Sequence, residues 1–396
     1  MKKFGLLPRI ILAIGLGIVI GFISPEWLIK AFATFNGLFG NFLGFAIPLI
    51  IIGFIAPGIG TMGRGAGKLL GMTAGLAYGS TIIAGLLAFL AATNLYPSLL
   101  KNQSLKAFEN PEEALLSGYF HVEMPPIMGV MTALLLAFVL GLGMAAIKNN
   151  ALLQVMNDFR SIVEKLIEKI IIPLLPFHIF GIFANMTYGG QVGAIMSVFA
   201  KVFVMIIALH VIYLLVQYSV AGTVSKQNPL RLLKEMTPAY FTALGTQSSA
   251  STIPVTLMHA KKIGARSRIA DFSVPLLATI HLSGSTITLV SCAIAVMMLQ
   301  GQVITFAAIL PFILMLGVTM IAAPGVPGGA VMAALGLLET MLGFDSMMLS
   351  LMIALYLAQD SFGTACNVTG DGALTVIADK MSGKHDSLEH TIEKAS

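Results

Sequence analysis

The sequence predicts an all-α polytopic membrane protein with eight transmembrane helices and two re-entrant helical hairpins. Three observations carry this. First, 57% of the 396 residues are apolar and 10% charged, with mean hydropathy +0.91, against about 25% charged in a typical soluble domain. Second, apolar runs of roughly 20 residues, the length that crosses a bilayer core, recur throughout. Backbone groups in lipid must pair internally, and such runs are too long for barrel strands, which leaves helices. Third, two apolar stretches are each cut in the middle by helix-breaking residues. The net charge of +5 resides in short loops between spans, so topology explains it better than nucleic acid. Cys292 and Cys366 lie in apolar stretches and read as small packed residues.

The first run, 4–24, follows Lys2 and Lys3 and reads as a span rather than a signal peptide, because no small-residue cleavage site follows it. Ser24-Pro25-Glu26-Trp27 reads as a turn with an interfacial aromatic. Further helices are expected near 37–60, 69–94, 125–147, 158–186 and 193–222. The glycine-rich basic segment from Thr61 to Lys68 joins the second and third, and 95–124 is polar and expected outside. Asp158, Arg160, Glu164, Lys165, Glu168 and Lys169 make the start of the fifth helix wet. If the spans alternate, Lys2, Lys3, Arg9, Arg64, Lys68, Lys148, Lys226, Arg231, Lys234, Lys261, Lys262, Arg266 and Arg268 share one side. That side is expected to be cytoplasmic, with both termini.

Residues 228–259 are cut by Gly245-Thr246-Gln247-Ser248-Ser249-Ala250-Ser251-Thr252-Ile253-Pro254. Residues 304–343 are cut by Ala322-Ala323-Pro324-Gly325-Val326-Pro327-Gly328-Gly329. The flanking halves are too short to cross a core needing about 20 residues, so each stretch reads as a hairpin whose tip lies within the membrane. A full helix follows each, near 271–300 and 346–379. The alternative is two proline-kinked spans, but the hairpin–helix order occurs twice in register. Paired interrupted segments of this kind point to the binding site of a carrier.

The last helix holds the strongest chemical signal: Asp360, Thr364, Asn367 and Asp371 in an otherwise apolar stretch. Their offsets of 4, 7 and 11 place all four within about a 60° sector, along about 16 Å of one face. Two carboxylates there are expensive unless each meets a cation, a donor or water. Carboxylate, amide and hydroxyl together suit an ammonium group and a hard cation such as sodium. Helix-gluing aspartates are the structural alternative. Half-helix ends at the hairpin tips offer N–H groups to an anion, Ser248, Ser249, Ser251 and Thr252 add hydroxyls, and Gly325, Gly328 and Gly329 permit close backbone approach. A zwitterion between the tips would find donors for its carboxylate and Asp360 for its ammonium. Thr279-Ile280-His281-Leu282-Ser283-Gly284-Ser285-Thr286 reads as an unwound segment facing the same cavity. His281 is either a proton-coupling group or a hydrogen-bonded interior residue. His178 and His210 read as packing or helix-contact residues, and Tyr78, Ser80 and Thr81 as either cation-site or packing residues.

These residues match a known pattern. Ser248-Ser249-Ala250-Ser251-Thr252-Ile253-Pro254-Val255-Thr256, Pro324-Gly325-Val326-Pro327-Gly328-Gly329 and Asn367-Val368-Thr369-Gly370-Asp371 make the chain resemble the dicarboxylate/amino acid:cation symporters. The rule about paired interrupted segments itself draws on an archaeal member of that family. The resemblance implies a homotrimer in the cell inner membrane, working as an inverted-repeat elevator. Residues 1–222 would supply six helices, of which the first, second, fourth and fifth form a scaffold. The third and sixth would join 228–379 in a moving transport core, with 380–396 a cytoplasmic tail. It also implies that Asp360 binds the substrate ammonium and Asn367 its α-carboxylate, with Ser248, Ser249, Ser285, Val326, Pro327, Gly328, Gly363 and Thr364 lining the site. Sodium would be held by Asp371 with Asn367 and backbone at Leu277 and His281, and a second ion by Thr279, Met320, Ile321 and Ala323. A weaker third site would involve Ser80, Thr81 and Ser283.

Two departures bear on the cargo. Members that carry acidic substrates have an arginine where this chain has Gly363, and a side-chain carboxylate unpaired there would be strongly penalised. The family's Asn-Met-Asp-Gly-Thr is here His281-Leu282-Ser283-Gly284-Ser285, which removes a carboxylate at Ser283. Gln359-Asp360-Ser361, Thr364-Ala365 and Ser248-Ser249-Ala250 look most like the bacterial serine/threonine:sodium branch. The expected activity is therefore sodium-coupled import of a small neutral amino acid, serine or threonine favoured, with no organic cofactor. The alternative is a proton-coupled carrier or exchanger for another uncharged amino acid or a dicarboxylate. An intramembrane enzyme is disfavoured because both aspartates lie on one helix without a second catalytic helix, and a channel because the hairpins argue for alternating access.

Overall fold

The computed structural model describes residues 6–62, 68–99, 115–148, 150–190, 192–323 and 328–382, and these form sixteen α-helices. They are α1 (Leu6–Ile23), α2 (Glu26–Met62), α3 (Lys68–Leu99), α4 (Val130–Ala146), α5 (Ala151–Leu166), α6 (Ile172–Tyr188), α7 (Val192–Ser225) and α8 (Pro229–Glu235). There follow α9 (Thr237–Thr246), α10 (Ser249–Lys262), α11 (Ser267–Ile280), α12 (Ser283–Leu299), α13 (Phe306–Ala322), α14 (Gly329–Leu342), α15 (Ser346–Leu357) and α16 (Asp360–Met381). Among the described residues, five helical stretches are long and apolar enough to cross a membrane: 26–60, 69–98, 151–188, 196–225 and 267–299. The chain is thus a multi-pass membrane protein.

The second helix begins at Glu26 rather than near 37, so the first turn is only Ser24-Pro25 and Trp27 stands on the first turn of α2, 62% exposed. Pro48 and Pro57 are accommodated inside α2. α5 starts at Ala151, earlier than expected, and reaches α6 through a π-helical turn at Ile167–Ile171, just before Pro173. A π turn takes up the mismatch where proline withholds an N–H. The polar segment 115–129 is tied down: Asn185 bonds both the N–H and the carbonyl of Leu116 (3.0 and 2.9 Å), and Tyr119 bonds Thr34 and the carbonyl of Trp27.

In the first interrupted stretch the cut expected over 245–254 spans only Gln247 and Ser248, and a second break at Met236 separates α8 from α9. Gln247 takes φ +54°, and Ser248 caps α10 by accepting from the N–H of Ser251. Residues Ser249 to Pro254 are already helical, because the serine cap starts the helix and Pro254 sits within α10. α9 and α10 pack on each other, as do α13 and α14. Thr305 caps α13 and Asp345 caps α15 (2.8 Å from the N–H of Met348).

The helices expected at 271–300 and 346–379 are each two helices. His281 and Leu282 leave helical conformation between α11 and α12, and Gln359 (φ −120°, ψ −5°) separates α15 from α16. Around α16 pack α7, α9, α10, α11 and α12, so that from Asp360 to Asp379 every residue except Phe362 is buried. Protein rather than lipid therefore surrounds the polar stripe, which is what allows charge at that depth. α1 lies along α6, and α2 packs against α4, α5 and α6. Gly17 and Gly21 make the first contact possible: a Cβ there would fall 2.6 Å from the Phe180 carbonyl and 2.5 Å from that of Ala184.

Candidate functional site

Asp360 is the first residue of α16, and its Oδ2 accepts the N–H of Gly328 at 2.7 Å. Gly328 reaches it with φ +75°, a conformation glycine adopts without strain. The bond ties the start of α14 to α16 and uses one of about four acceptor positions on the carboxylate. Val326 and Pro327 lie outside the described residues. One and two turns along α16, Thr364 and Asn367 are buried with it.

Asn367 serves the start of α12. Its Oδ1 accepts from the N–H groups of Gly284 (2.7 Å) and Ser285 (3.2 Å), and its Nδ2 donates to Ser285 Oγ at 2.9 Å. A helix start leaves N–H groups without intrahelical partners, and here a neighbouring helix supplies the cap. One Nδ2 hydrogen remains for another acceptor. The approach depends on Gly284, where a Cβ would fall 2.5 Å from Cys366 Cβ and from the Gly363 carbonyl. On the far side, His210 Nε2 bonds the Gly284 carbonyl at 3.0 Å. His178 contacts Ser350 Oγ across α6 and α15 at 3.0 Å.

Asp371 Oδ1 lies 2.8 Å from His281 Nδ1, both side chains fully enclosed, while Asp371 Oδ2 is buried with no hydrogen-bond partner among the described residues. The other ring nitrogen of His281 reaches Ser80 Oγ at 2.9 Å. Gln217 Nε2 donates to the same Ser80 oxygen at 3.0 Å, and Tyr213 donates to the Ser80 carbonyl at 2.6 Å. Gln217 and Tyr213 are additions to the residues read from sequence; their four-residue spacing on one face of α7 was the available signal. Of the other residues expected at a third ion site, Thr81 bonds the carbonyl of Ala77 in its own helix and Ser283 Oγ is buried without a partner among the described residues.

Thr279, Ile321 and Ala323 come together on one cavity of about 200 Å³, whose wall also includes Arg160 and Gly58. The Thr279 hydroxyl is spent on the Leu276 carbonyl (2.7 Å), while the Leu277 carbonyl accepts the N–H of His281 (2.8 Å) and the Met320 carbonyl that of Ala323 (3.4 Å). Arg160, paired with Glu164 at 2.9 Å and set over the Phe54 ring, brings a positive charge to this cavity that sequence reasoning left in a wet helix start. Ser248 is engaged as the α10 cap, and Ser249 is buried beside it. Gly363 abuts α12, 3.5 Å from the Ser285 backbone for an added Cβ. Tyr356, four residues before Asp360, was missed; its enclosed hydroxyl faces Asp360 and Ser285.

The donor set fits a hard cation in one respect above all: Asp371 Oδ2 is an orphaned, buried anionic oxygen. A sequence model of the sodium:dicarboxylate symporter family matches residues 6–381. Among curated relatives, the serine/threonine transporter SstT of Acinetobacter baumannii strain AYE is 26% identical over 96% of this chain and 98% of its own length. Those of strains ATCC 17978 and SDF are 25% and 26% identical over the same shares.

Proposed function

The chain belongs to the sodium:dicarboxylate symporter family and is a sodium-coupled membrane transporter; from that premise we propose that its cargo is a small neutral amino acid, serine or threonine first. The observation that carries the reading is the spare bonding capacity of α16. Asp360 has acceptor positions left for an ammonium group, Asn367 has one N–H left for a carboxylate, and Asp371 has a free oxygen for sodium. Gly363 supplies no positive charge for an acidic side chain. The relatives named above are serine/threonine transporters, which agrees with a neutral cargo.

In this reading Ser248, Ser249, Ser285, Gly328, Gly363 and Thr364 complete the substrate site with Val326 and Pro327. Sodium binds at Asp371 with Asn367 and the Leu277 and His281 backbone, and a second ion near Thr279, Met320, Ile321 and Ala323. The chain crosses the membrane eight times with two hairpins, α8–α10 and α13–α14, and both termini are cytoplasmic. Helices α1, α2, α4, α5 and α6 form a trimeric scaffold in the cell inner membrane, past which α3 and α7–α16 move as an elevator. The division is supported by the packing of α2, which is denser against α4, α5 and α6 than against α13 and α14, and by that of α16 against α7 and α9–α12.

A thermal-shift screen of the purified protein against the amino acids tests this, because a ligand that binds only the folded state stabilises it by mass action. Serine or threonine should raise the melting temperature in sodium and not in potassium, and aspartate or glutamate should leave it unmoved. Stabilisation by the acidic amino acids would refute the neutral cargo. One observation favours the proton-coupled reading, for another uncharged amino acid or a dicarboxylate: the contact of His281 with Asp371 places a protonatable group on the expected sodium ligand. Equal stabilisation in sodium and potassium would select it.

A further inference from the structure

One buried polar group at the site has no assigned task. Tyr356 lies in the last turn of α15, is 0% exposed, and its hydroxyl makes no hydrogen bond of good geometry among the described residues. It nonetheless faces both the Asp360 carboxylate and the Ser285 hydroxyl. Buried polar groups in folded proteins are almost always paired, so an orphan here calls for a ligand.

Its neighbours narrow that ligand's chemistry. Ser285 Oγ accepts from Asn367 Nδ2 at 2.9 Å, which leaves the serine O–H free to donate. A Cβ at Gly363 would stand 3.5 Å from the Ser285 backbone and from Thr288 Oγ1, so this wall is formed by backbone and hydroxyls without a charged side chain. Two hydroxyls can donate to and accept from a third. They cannot neutralise a carboxylate, least of all beside Asp360. In an amino acid with a β-hydroxyl, two carbons separate ammonium from hydroxyl. An ammonium held by Asp360 therefore carries that hydroxyl toward a phenol facing the same carboxylate.

We propose that Tyr356 and Ser285 form the side-chain subsite of this carrier and recognise a β-hydroxyl on its amino acid, which makes Tyr356 a specificity-determining residue. The inference rests on the reading of Asp360 as the ammonium site.

Tyr356→Phe removes the hydroxyl and little else. Uptake of serine, threonine and alanine into proteoliposomes, driven by a sodium gradient, is compared for the wild type and this variant. The ratio of KM for serine to KM for alanine should rise about tenfold, the value of one hydrogen bond of average strength. Packing damage alone would lower Vmax for all three substrates and leave that ratio where it was, which would overturn the assignment. Ser285→Ala, measured the same way, should shift the ratio in the same direction and serves if the phenylalanine variant fails to fold. Wild-type protein that carries none of the three refutes the neutral amino-acid reading itself. Discrimination between serine and alanine that persists in both variants refutes only the subsite.

Discussion

Asn367 commits both acceptor positions of its amide oxygen to the first N–H groups of α12, and one of its two amide hydrogens to Ser285. Asp360 commits one oxygen to the Gly328 N–H. In both cases a conspicuous polar side chain in an apolar run is held by backbone from a different helix, and the proposed site rests on its leftover capacity. Asp360→Asn isolates the charge, because an asparagine oxygen can still accept from Gly328. We expect this variant to keep its oligomeric state on size exclusion while affinity for the amino acid falls about 100-fold, the cost of a charge-assisted hydrogen bond. Uptake at the wild-type rate would mean the ammonium binds elsewhere. Asp360, Thr364, Asn367 and Asp371 were legible because charge, amide and hydroxyl stand out among leucines and alanines. Tyr356, Tyr213 and Gln217 were not, since tyrosine and glutamine on a membrane helix read equally well as packing.

At the scale of elements, breaks in helices decide where side chains go. The run 346–379 reads as one helix from its hydropathy, yet it parts at Gln359 so that Asp360 opens α16. The run 271–300 parts at His281, whose ring is thereby turned between Asp371 and Ser80. The break at His281 and Leu282 falls inside the polar run 279–286 that already reads as unwound, whereas the break at Gln359 contains neither proline nor glycine, the usual punctuation, and nothing local announced its position. Gly284 lets the two runs approach closely, since a Cβ there would fall 2.5 Å from the Gly363 carbonyl. Gly284→Val would press a side chain into the Gly363 carbonyl, and we expect it to destabilise the protein by about 1–3 kcal/mol and to abolish the shift in melting temperature induced by serine. A variant with wild-type melting behaviour would show that α12 and α16 cross less closely than described. The serine cap at Ser248 shows the converse case: its motif was plain in sequence, but it starts a helix where a longer unwound tip was expected.

For the whole molecule, the proposed elevator requires α6 to slide past α15. The His178–Ser350 contact, 3.0 Å across those two helices, marks a place to test it. In a background carrying Cys292→Ala and Cys366→Ala, a cysteine pair replacing His178 and Ser350 can be bridged by a short thiol cross-linker. Bridging should stop net uptake in proteoliposomes, reversibly if the linker is reducible, while serine still raises the melting temperature. Uptake that continues in fully bridged protein would rule out relative motion of these helices.

By itself the sequence determined that this chain lives in a membrane as helices, that two of its apolar stretches are interrupted, and that one late helix bears a polar stripe. Run length, a breaker inside a run and a carboxylate among apolar neighbours are local properties, readable along the chain. Tertiary structure alone decided how the buried groups are met: Asp360 by Gly328, Asn367 by the start of α12, one oxygen of Asp371 by His281, and the Tyr356 hydroxyl by no hydrogen bond of good geometry among the described residues. A hydrogen-bond partner is set by where helices cross, and these partners lie 32 to 90 residues away along the chain.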